Sequence, residues 1–428
     1  MTKRNIQSSD LPSSVVSAVP LTATANGVVG DGSTDDTTAL NALIQTALTD
    51  ARPILINTPS NIKVSNTIDA RGTGLVIQRT ASQSILQTDL TVPAVLIGDP
   101  TGVGNQDLNL AVTYSSQASN AAAVAFYGYY PIQSRYRLNA YNCAKGLALY
   151  QGSVATGGIN GMFSNQISLE VREFSICGLD TTPYNNDNTG NVWDLVILEN
   201  DSSQSISDYG LRVVNSDNET FRQLNVGGMT QSTAGGVILV QGGSVVMDSV
   251  HLESITFSTY GGSLIVANET ALALRGLGVQ GSTIEDDFGD NKGLVGVAGS
   301  AEVVLDGVYW GNTNTVSASH FGLLNSIDQT GKMWARGVLP AAISAFTAIS
   351  IADTGQLPVL KQANEQIFHY TNAAGKNVVF KTAAPTTGTW AVGDTAWNTA
   401  PAAAGTPGWV CTTAGTPGTW KAMAVLAS

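Results

Sequence analysis

At 428 residues the chain is long enough for two or three ordinary domains or for one long repetitive one, and a 43% hydrophobic content excludes a disordered polymer. Charged residues make up 12%, about half the usual ~25%, and 45 glycines exceed the usual ~7%, which disfavours a helix-rich protein and favours many short strands joined by turns. With 20 basic against 32 acidic residues, a net charge of −12, no Lys/Arg run and no apolar run of spanning length, neither nucleic acid nor a membrane is expected as a partner.

Residues 1–25 read as a polar, extended arm containing Pro12 and Pro20, and Met1-Thr2-Lys3-Arg4 is not followed by the apolar core of a secretory signal. A helix is expected next. Ser33 and Thr34 can cap it, Asp35 and Asp36 suit its first turn, and Leu40, Leu43, Ile44, Ala47 and Leu48 recur at helical spacing before Asp50-Ala51-Arg52-Pro53 ends it. Asp31, Asp35 and Asp36 look at first like a metal site, but capping explains them better. Ile54-Leu55-Ile56 and Ile62-Lys63-Val64 then read as strands about the turn Thr58-Pro59-Ser60-Asn61.

From about residue 75 to 330 the sequence alternates strand and turn, and a period emerges. Phe221-Arg222-Gln223-Leu224-Asn225-Val226, Met247-Asp248-Ser249-Val250-His251-Leu252, Leu274-Arg275-Gly276-Leu277-Gly278-Val279 and Leu305-Asp306-Gly307-Val308-Tyr309-Trp310 align at offsets of 26, 27 and 31 residues. Each has apolar residues at its first, fourth and sixth positions, and a small or polar third residue permits a bend. A second apolar series, Val237–Val240, Leu264–Val266 and Leu294–Val297, interleaves with the first, and Phe321–Leu324 closes it loosely. Tyr136–Ala140, Ile167–Val171 and Trp193–Ile197 fit the scheme less closely. Columns recurring at this period predict stacked rungs of a parallel β-solenoid in preference to a β-sandwich.

The opening stretch Gly30-Asp31-Gly32-Ser33-Thr34-Asp35-Asp36-Thr37, with the amphipathic helix behind it, resembles the start of pectate-lyase-like right-handed β-helix proteins. In that family such a helix caps the first rung. The tail, Thr389-Trp390-Ala391-Val392-Gly393-Asp394-Thr395-Ala396-Trp397-Asn398, with Gly408-Trp409-Val410-Cys411-Thr412 and Gly415-Thr416-Pro417-Gly418-Thr419-Trp420-Lys421, resembles a small C-terminal module of phage tailspikes and tail fibres. Together these imply a bacteriophage tailspike of the polysaccharide-depolymerase type: an all-β, homotrimeric right-handed parallel β-helix, carried on the virion with other tail proteins, that binds or cuts capsule, O-antigen or exopolysaccharide. The expected division is an arm (1–25), the β-helix (26–335, with a capping segment to 70), a linker of intertwining strands (336–376) and a C-terminal β module (377–428). Only about 25 residues precede the capping segment, fewer than a full virion-anchoring domain needs.

A glycosidase needs two carboxyl groups roughly 5–10 Å apart, and stacked strands ~4.8 Å apart supply that spacing. The favoured catalytic candidates are Glu253 with Glu285, Asp286 or Asp306, and Asp248, His251, Tyr309, Trp310 and Tyr184 are the candidates for binding substrate. His251 and Glu253 flank Leu252, so an inward Leu252 turns both outward. Against this, Arg222, Asp248, Arg275 and Asp306 alternate in sign as a surface ion-pair ladder would, and Glu285–Asp287 reads equally as a solvated turn. A second acidic group, Glu170, Arg172, Glu173, Asp194, Glu199 and Asp201, offers another groove or a salt-bridged strand. Four tryptophans, Trp390, Trp397, Trp409 and Trp420, either pack the small C-terminal module or bind sugar.

Cys143, Cys177 and Cys411 are too widely spaced for a metal motif and read as buried thiols. His320 and His369 are isolated, so no metal and no cofactor is expected. Three functions remain open: a hydrolase, a lyase on the same scaffold, and a binding-only or structural tail protein.

Overall fold

Apolar side chains repeated once per coil form a core only if successive coils lie in register. The computed structural model describes residues 19–80, 83–89, 91–99, 104–116, 122–126, 133–149, 162–182, 188–231, 236–257, 262–284, 292–310, 314–316, 321–326, 332–338, 360–361, 367–368, 370–371 and 376–424. Among these residues 26 strands join one continuous sheet, and every pairing in it is parallel. The chain is a parallel β-solenoid with a small separate sheet at its C-terminal end.

Each coil contributes strands to three faces. On the first, one column of stacked residues runs through Leu21, Ile54, Ile77, Leu108, Tyr136, Ile167, Trp193, Phe221, Met247, Leu274, Leu305 and Ala335. The second face carries Leu110, Leu138, Leu169, Val196, Leu224 and Val250 inward. The third carries Ile68, Val95, Val124, Leu147, Leu179, Leu211, Ile238, Ile265 and Val295. The four aligned hexapeptides fall in register as their spacing predicts, Phe221 on Met247 on Leu274 on Leu305. Within the column Trp193 and Phe221 lie 3° from parallel, with centroids 5.4 Å apart.

The third hexapeptide position bends the chain between the first and second faces. Ser249, Gly276 and Gly307 all have positive φ there, at 51°, 65° and 78°. Glycine takes that conformation without the penalty a Cβ brings, and serine bears it less readily.

A helix at Thr37–Asp50 closes the N-terminal end, and its Leu40, Leu43, Ile44 and Ala47 belong to the same core as the columns. Asn41 meets the open edge of the first coil: its amide N–H donates to the Thr67 carbonyl (3.2 Å), and its carbonyl accepts from the Asp69 N–H (2.9 Å). One side chain thus replaces the backbone partner that a preceding strand would supply. The acidic run before the helix acts differently from a simple cap. Asp36 is the N-cap residue, but its carboxylate turns back to accept from the Val29 and Gly30 N–H groups, both at 2.8 Å. Asp31 accepts from the Ser33 and Thr34 N–H groups. Asp35 accepts from the Ser65 hydroxyl and from Thr37, and these bonds pull its carboxyl down to about 2. The three carboxylates stitch the turn, and no group of metal-ligating side chains occurs among the described residues.

A polar column runs inside the solenoid. Ser134 accepts from the Gln106 N–H, Asn165 from the Ser134 N–H, and Asn191 from the Asn165 N–H (3.0, 3.1 and 3.0 Å). The column ends on buried Glu219, which accepts from the Asn191 amide and from the Trp193 indole N–H, both at 2.7 Å. Burial raises this carboxyl from its usual 4.5 to about 7, against the pull of those bonds. Cys143 and Cys177 are buried, and burial pushes the Cys143 thiol up to about 12.

The C-terminal module is a five-stranded sheet packed on Val379, Trp390, Ala396 and Cys411. Trp390 and Trp420 meet edge to face at 5.2 Å, and Trp409 packs beside them. Each of the first two donates its indole N–H to a nearby carbonyl, Thr387 and Pro417. Trp397 alone of the four stays largely exposed, at 41%.

Two predictions follow from this packing. A Leu43→Asp chain should not yield soluble folded protein, because an unpaired carboxylate would then sit in the end of the core; normal expression and an unchanged circular dichroism melt would refute it. For Glu219 the sign is set by a folded pKa above the unfolded one. Its contribution is complete below about pH 4.5 and is lost as pH rises through about 7, in all about 3 kcal/mol. Denaturant midpoints should fall between pH 5 and 8, and Glu219→Gln should flatten that slope.

Candidate functional site

The inward side chains of the second face fix which residues point out. Alternation about Val226, Leu252 and Val279, all buried, sends Asn225, His251 and Gly278 outward with Gly227, Glu253 and Gln280. Two outward columns result. One stacks Asn139, Glu170, Ile197, Asn225, His251, Gly278 and Tyr309. The other stacks Tyr141, Arg172, Glu199, Gly227, Glu253 and Gln280.

Glu199 and Glu253 therefore face the same way, two rungs apart, with Gly227 between them. At ~4.8 Å per rung their Cα atoms stand ~9.6 Å apart. The glycine is required by the fold: a Cβ there would lie 2.7 Å from the Glu253 carbonyl oxygen. It also leaves nothing between the two carboxylates. Glu199 is held from the N-terminal side. The Arg79 guanidinium donates to Asn139 (3.4 Å), and the Asn139 amide donates to Glu170 (2.9 Å). Arg172 then joins Glu170 (2.7 Å) to Glu199 (3.1 Å). Arg172 is consequently held above its ordinary value, chiefly by its bond to Glu170. Glu253 has 56% of its side chain exposed, and its carboxylate lies 3.7 Å from His251 Nδ1.

Asp248 and Asp306 belong to another arrangement. Across the bend, on the first face, Asp248 stacks on Arg275, Arg275 on Asp306 and Asp306 on Arg336. Arg275 reaches Asp248 at 3.4 Å, and two coils earlier Arg222 reaches Asp194 at 2.5 Å. Asp194 is the extra residue of a bulge between Trp193 and Leu195, and Gln166 also donates to it. This is the ladder of alternating charge that the sequence offered as the competing reading.

Tyr309 is 52% exposed and stands two rungs from His251, as the sequence placed it. Trp310 pairs through its backbone with Val279, and its side chain lies outside the described residues. Glu285, Asp286 and Tyr184 lie outside them too. Sequence reasoning assigned Glu199 and Glu253 to separate clusters. Rung arithmetic was the missed signal, since Glu199, Gly227, Glu253 and Gln280 follow one another at 28, 26 and 27 residues.

No protein-family model matches this sequence, and no curated protein matches it. Among solved structures it is similar to the gp42 tailspike of Acinetobacter phage vb_AbaP_AS12, with a TM-score of 0.51 and 11% identity over 94% of this chain and 82% of that one. It is also similar to the tailspike protein of Acinetobacter phage vB_ApiP_P1, with a TM-score of 0.47 and 13% identity over 95% and 79%. At such identity the first likeness establishes a shared fold, the β-solenoid seen in phage tailspikes. No helix among the described residues is long and apolar enough to cross a membrane.

The charge ladder yields its own prediction. Its side chains are half exposed, 55% for Arg275 and 36% for Asp248, so each pair contributes under about 1 kcal/mol. A double-mutant cycle on Arg275→Met and Asp248→Asn should return a coupling below that figure. A larger, salt-insensitive coupling would show the ladder to be structural in earnest.

Proposed function

We propose that this protein is a phage tailspike that binds and depolymerises a bacterial surface polysaccharide by glycosidic hydrolysis. The observation that carries the reading is the pair Glu199 and Glu253, two rungs apart on an open polar face beside an imidazole and an exposed tyrosine. The solenoid shared with a tailspike supports the setting. So does the elongated face, which offers a polymer several adjacent subsites.

In this reading Glu253 is the acid and Glu199 the base. A pair separated by two rungs falls near the roughly 6.5–9.5 Å carboxyl spacing of inverting enzymes, which leaves room for a water molecule between base and sugar. Glu199, positioned by its ion pair with Arg172, removes a proton from that water as its oxygen attacks the anomeric carbon. Glu253 gives its proton to the glycosidic oxygen as the carbon–oxygen bond breaks. One water is consumed and two hydroxyls result, and solvent returns the proton from Glu199 to Glu253. Asp306, embedded in the charge ladder, is the less suitable partner for Glu253. A lyase would need a cation to neutralise a uronate, but Arg172, the arginine nearest the pair on this face, is already shared between two carboxylates.

Assembly as a homotrimer on the virion, with the arm, linker and C-terminal module serving attachment and association, completes the reading. The outward side of the first face supports it through an apolar stripe, Val246, Ala273 and 41%-exposed Val304, bordered by the charge ladder. Light scattering at micromolar concentration should return three times the chain mass.

The test of chemistry uses purified polysaccharides from candidate hosts. Reducing ends should appear without the ultraviolet absorbance of an unsaturated uronate, and proton spectra of early product should show the inverted anomer. Glu253→Gln and Glu199→Gln should each lower turnover about 10²-fold or more while assembly and binding persist. Absorbance together with reducing ends would make the protein a lyase, and binding without either would make it a binding-only spike.

A further inference from the structure

Resting on that reading of the face, we infer that the gap above Gly278, between His251 and Tyr309, is a subsite for an uncharged pyranose ring. Position five of the aligned hexapeptides is outward in every coil, and its occupants are Asn225, His251, Gly278 and Tyr309. The fold gives no reason for a glycine at the third of these. Gly278 does not use the left-handed backbone, unlike Gly276 two residues earlier. An added Cβ would meet no backbone atom closer than 3.9 Å, and its nearest neighbour would be Cδ2 of the His251 ring, at 3.3 Å. A glycine inside a strand weakens it, and where neither a bend nor a close backbone explains it, it marks the approach of a ligand.

The walls suit a sugar. His251 and Tyr309 are two rungs apart, ~9.6 Å between Cα atoms. The imidazole leans over Gly278 with its Cδ2 edge while its Nδ1 faces Glu253, so Nε2 lies on the side of the gap. Contact at ~4 Å with the tyrosine and a hydrogen bond of ~3 Å to the imidazole fit one ring within that width. Tyr309 offers its aromatic face to the C–H face of a pyranose, and Gln280 and Glu253 border the gap with groups that bond hydroxyls. No lysine or arginine stands in either column from residue 197 onward among the described residues. A uronate at this position would find no lysine or arginine in these columns to offset its charge. The subsite thus belongs to a neutral sugar one rung from the acid.

The experiment measures retention of the full chain on immobilised surface polysaccharides of known composition, some neutral and some uronate-rich. Its variants are Gly278→Ala, Gly278→Val, Tyr309→Ala and Tyr309→Phe, with melting temperatures alongside. The polymer retained by the wild-type chain should be one with neutral residues. On it, Gly278→Val and Tyr309→Ala should each weaken binding at least tenfold, Gly278→Ala should do so less, and Tyr309→Phe should stay near wild type. Tyr309 is exposed, so its variants report even if Gly278→Val does not fold. Undiminished binding by Tyr309→Ala would overturn the subsite while leaving the tailspike reading in place. Retention only on polyuronates would overturn the choice of a neutral sugar. Retention on no polymer would remove both readings.

Discussion

Each coil of the solenoid hydrogen-bonds to the coil before it and the coil after it, and the register of those bonds governs everything else in the molecule. A strand shifted by one residue would turn its core side chains into solvent and its polar ones inward. Columns as long as the one from Leu21 to Ala335 make that shift costly at every rung at once. The interior therefore needs no single large cluster of aromatics to be specific. Specificity comes from repetition, with Trp193 on Phe221 and the amide column ending at Glu219 as local locks.

The same constraint builds the outer face. Positions that alternate with buried residues are presented at fixed spacing, so residues far apart in sequence become neighbours without a pocket being folded around them. Glu199 and Glu253 meet in this way, and so do His251 and Tyr309. A flat array of this kind suits a chain-like ligand, which gains affinity from several modest contacts instead of one enclosed cavity.

The fold was legible where the period was undisturbed. The hexapeptides from Phe221 to Trp310 stack as their spacing required, and in three of the four the third residue, Ser249, Gly276 or Gly307, takes the positive-φ bend. The copy at Trp193–Ile197 matched more loosely for a visible reason: the extra residue at Asp194 breaks the count between Trp193 and Leu195 without disturbing the column. The acidic run at Asp31–Asp36 was read as a cap, but beside its local bonds to Ser33, Thr34 and Thr37 it reaches Val29, Gly30 and Ser65, and no local pattern could announce the last of these. At the candidate site, outwardness was legible and neighbourhood was not. Glu199 and Glu253 lie in different coils with Gly227 between them, so counting by coils, and not by local pattern, was needed to place them in one column.

Asn41 has a consequence for how the molecule behaves in company. The first coil of a parallel solenoid is an exposed strand edge of the same geometry as every interface inside the protein, and a second chain could dock there as one more coil. Repeated head to tail, that contact never closes and would produce an open filament. By occupying the Thr67 carbonyl and the Asp69 N–H with a side-chain amide, the helix spends the valences on which such growth would begin. At that edge the chain is thereby kept from polymerising along its own axis.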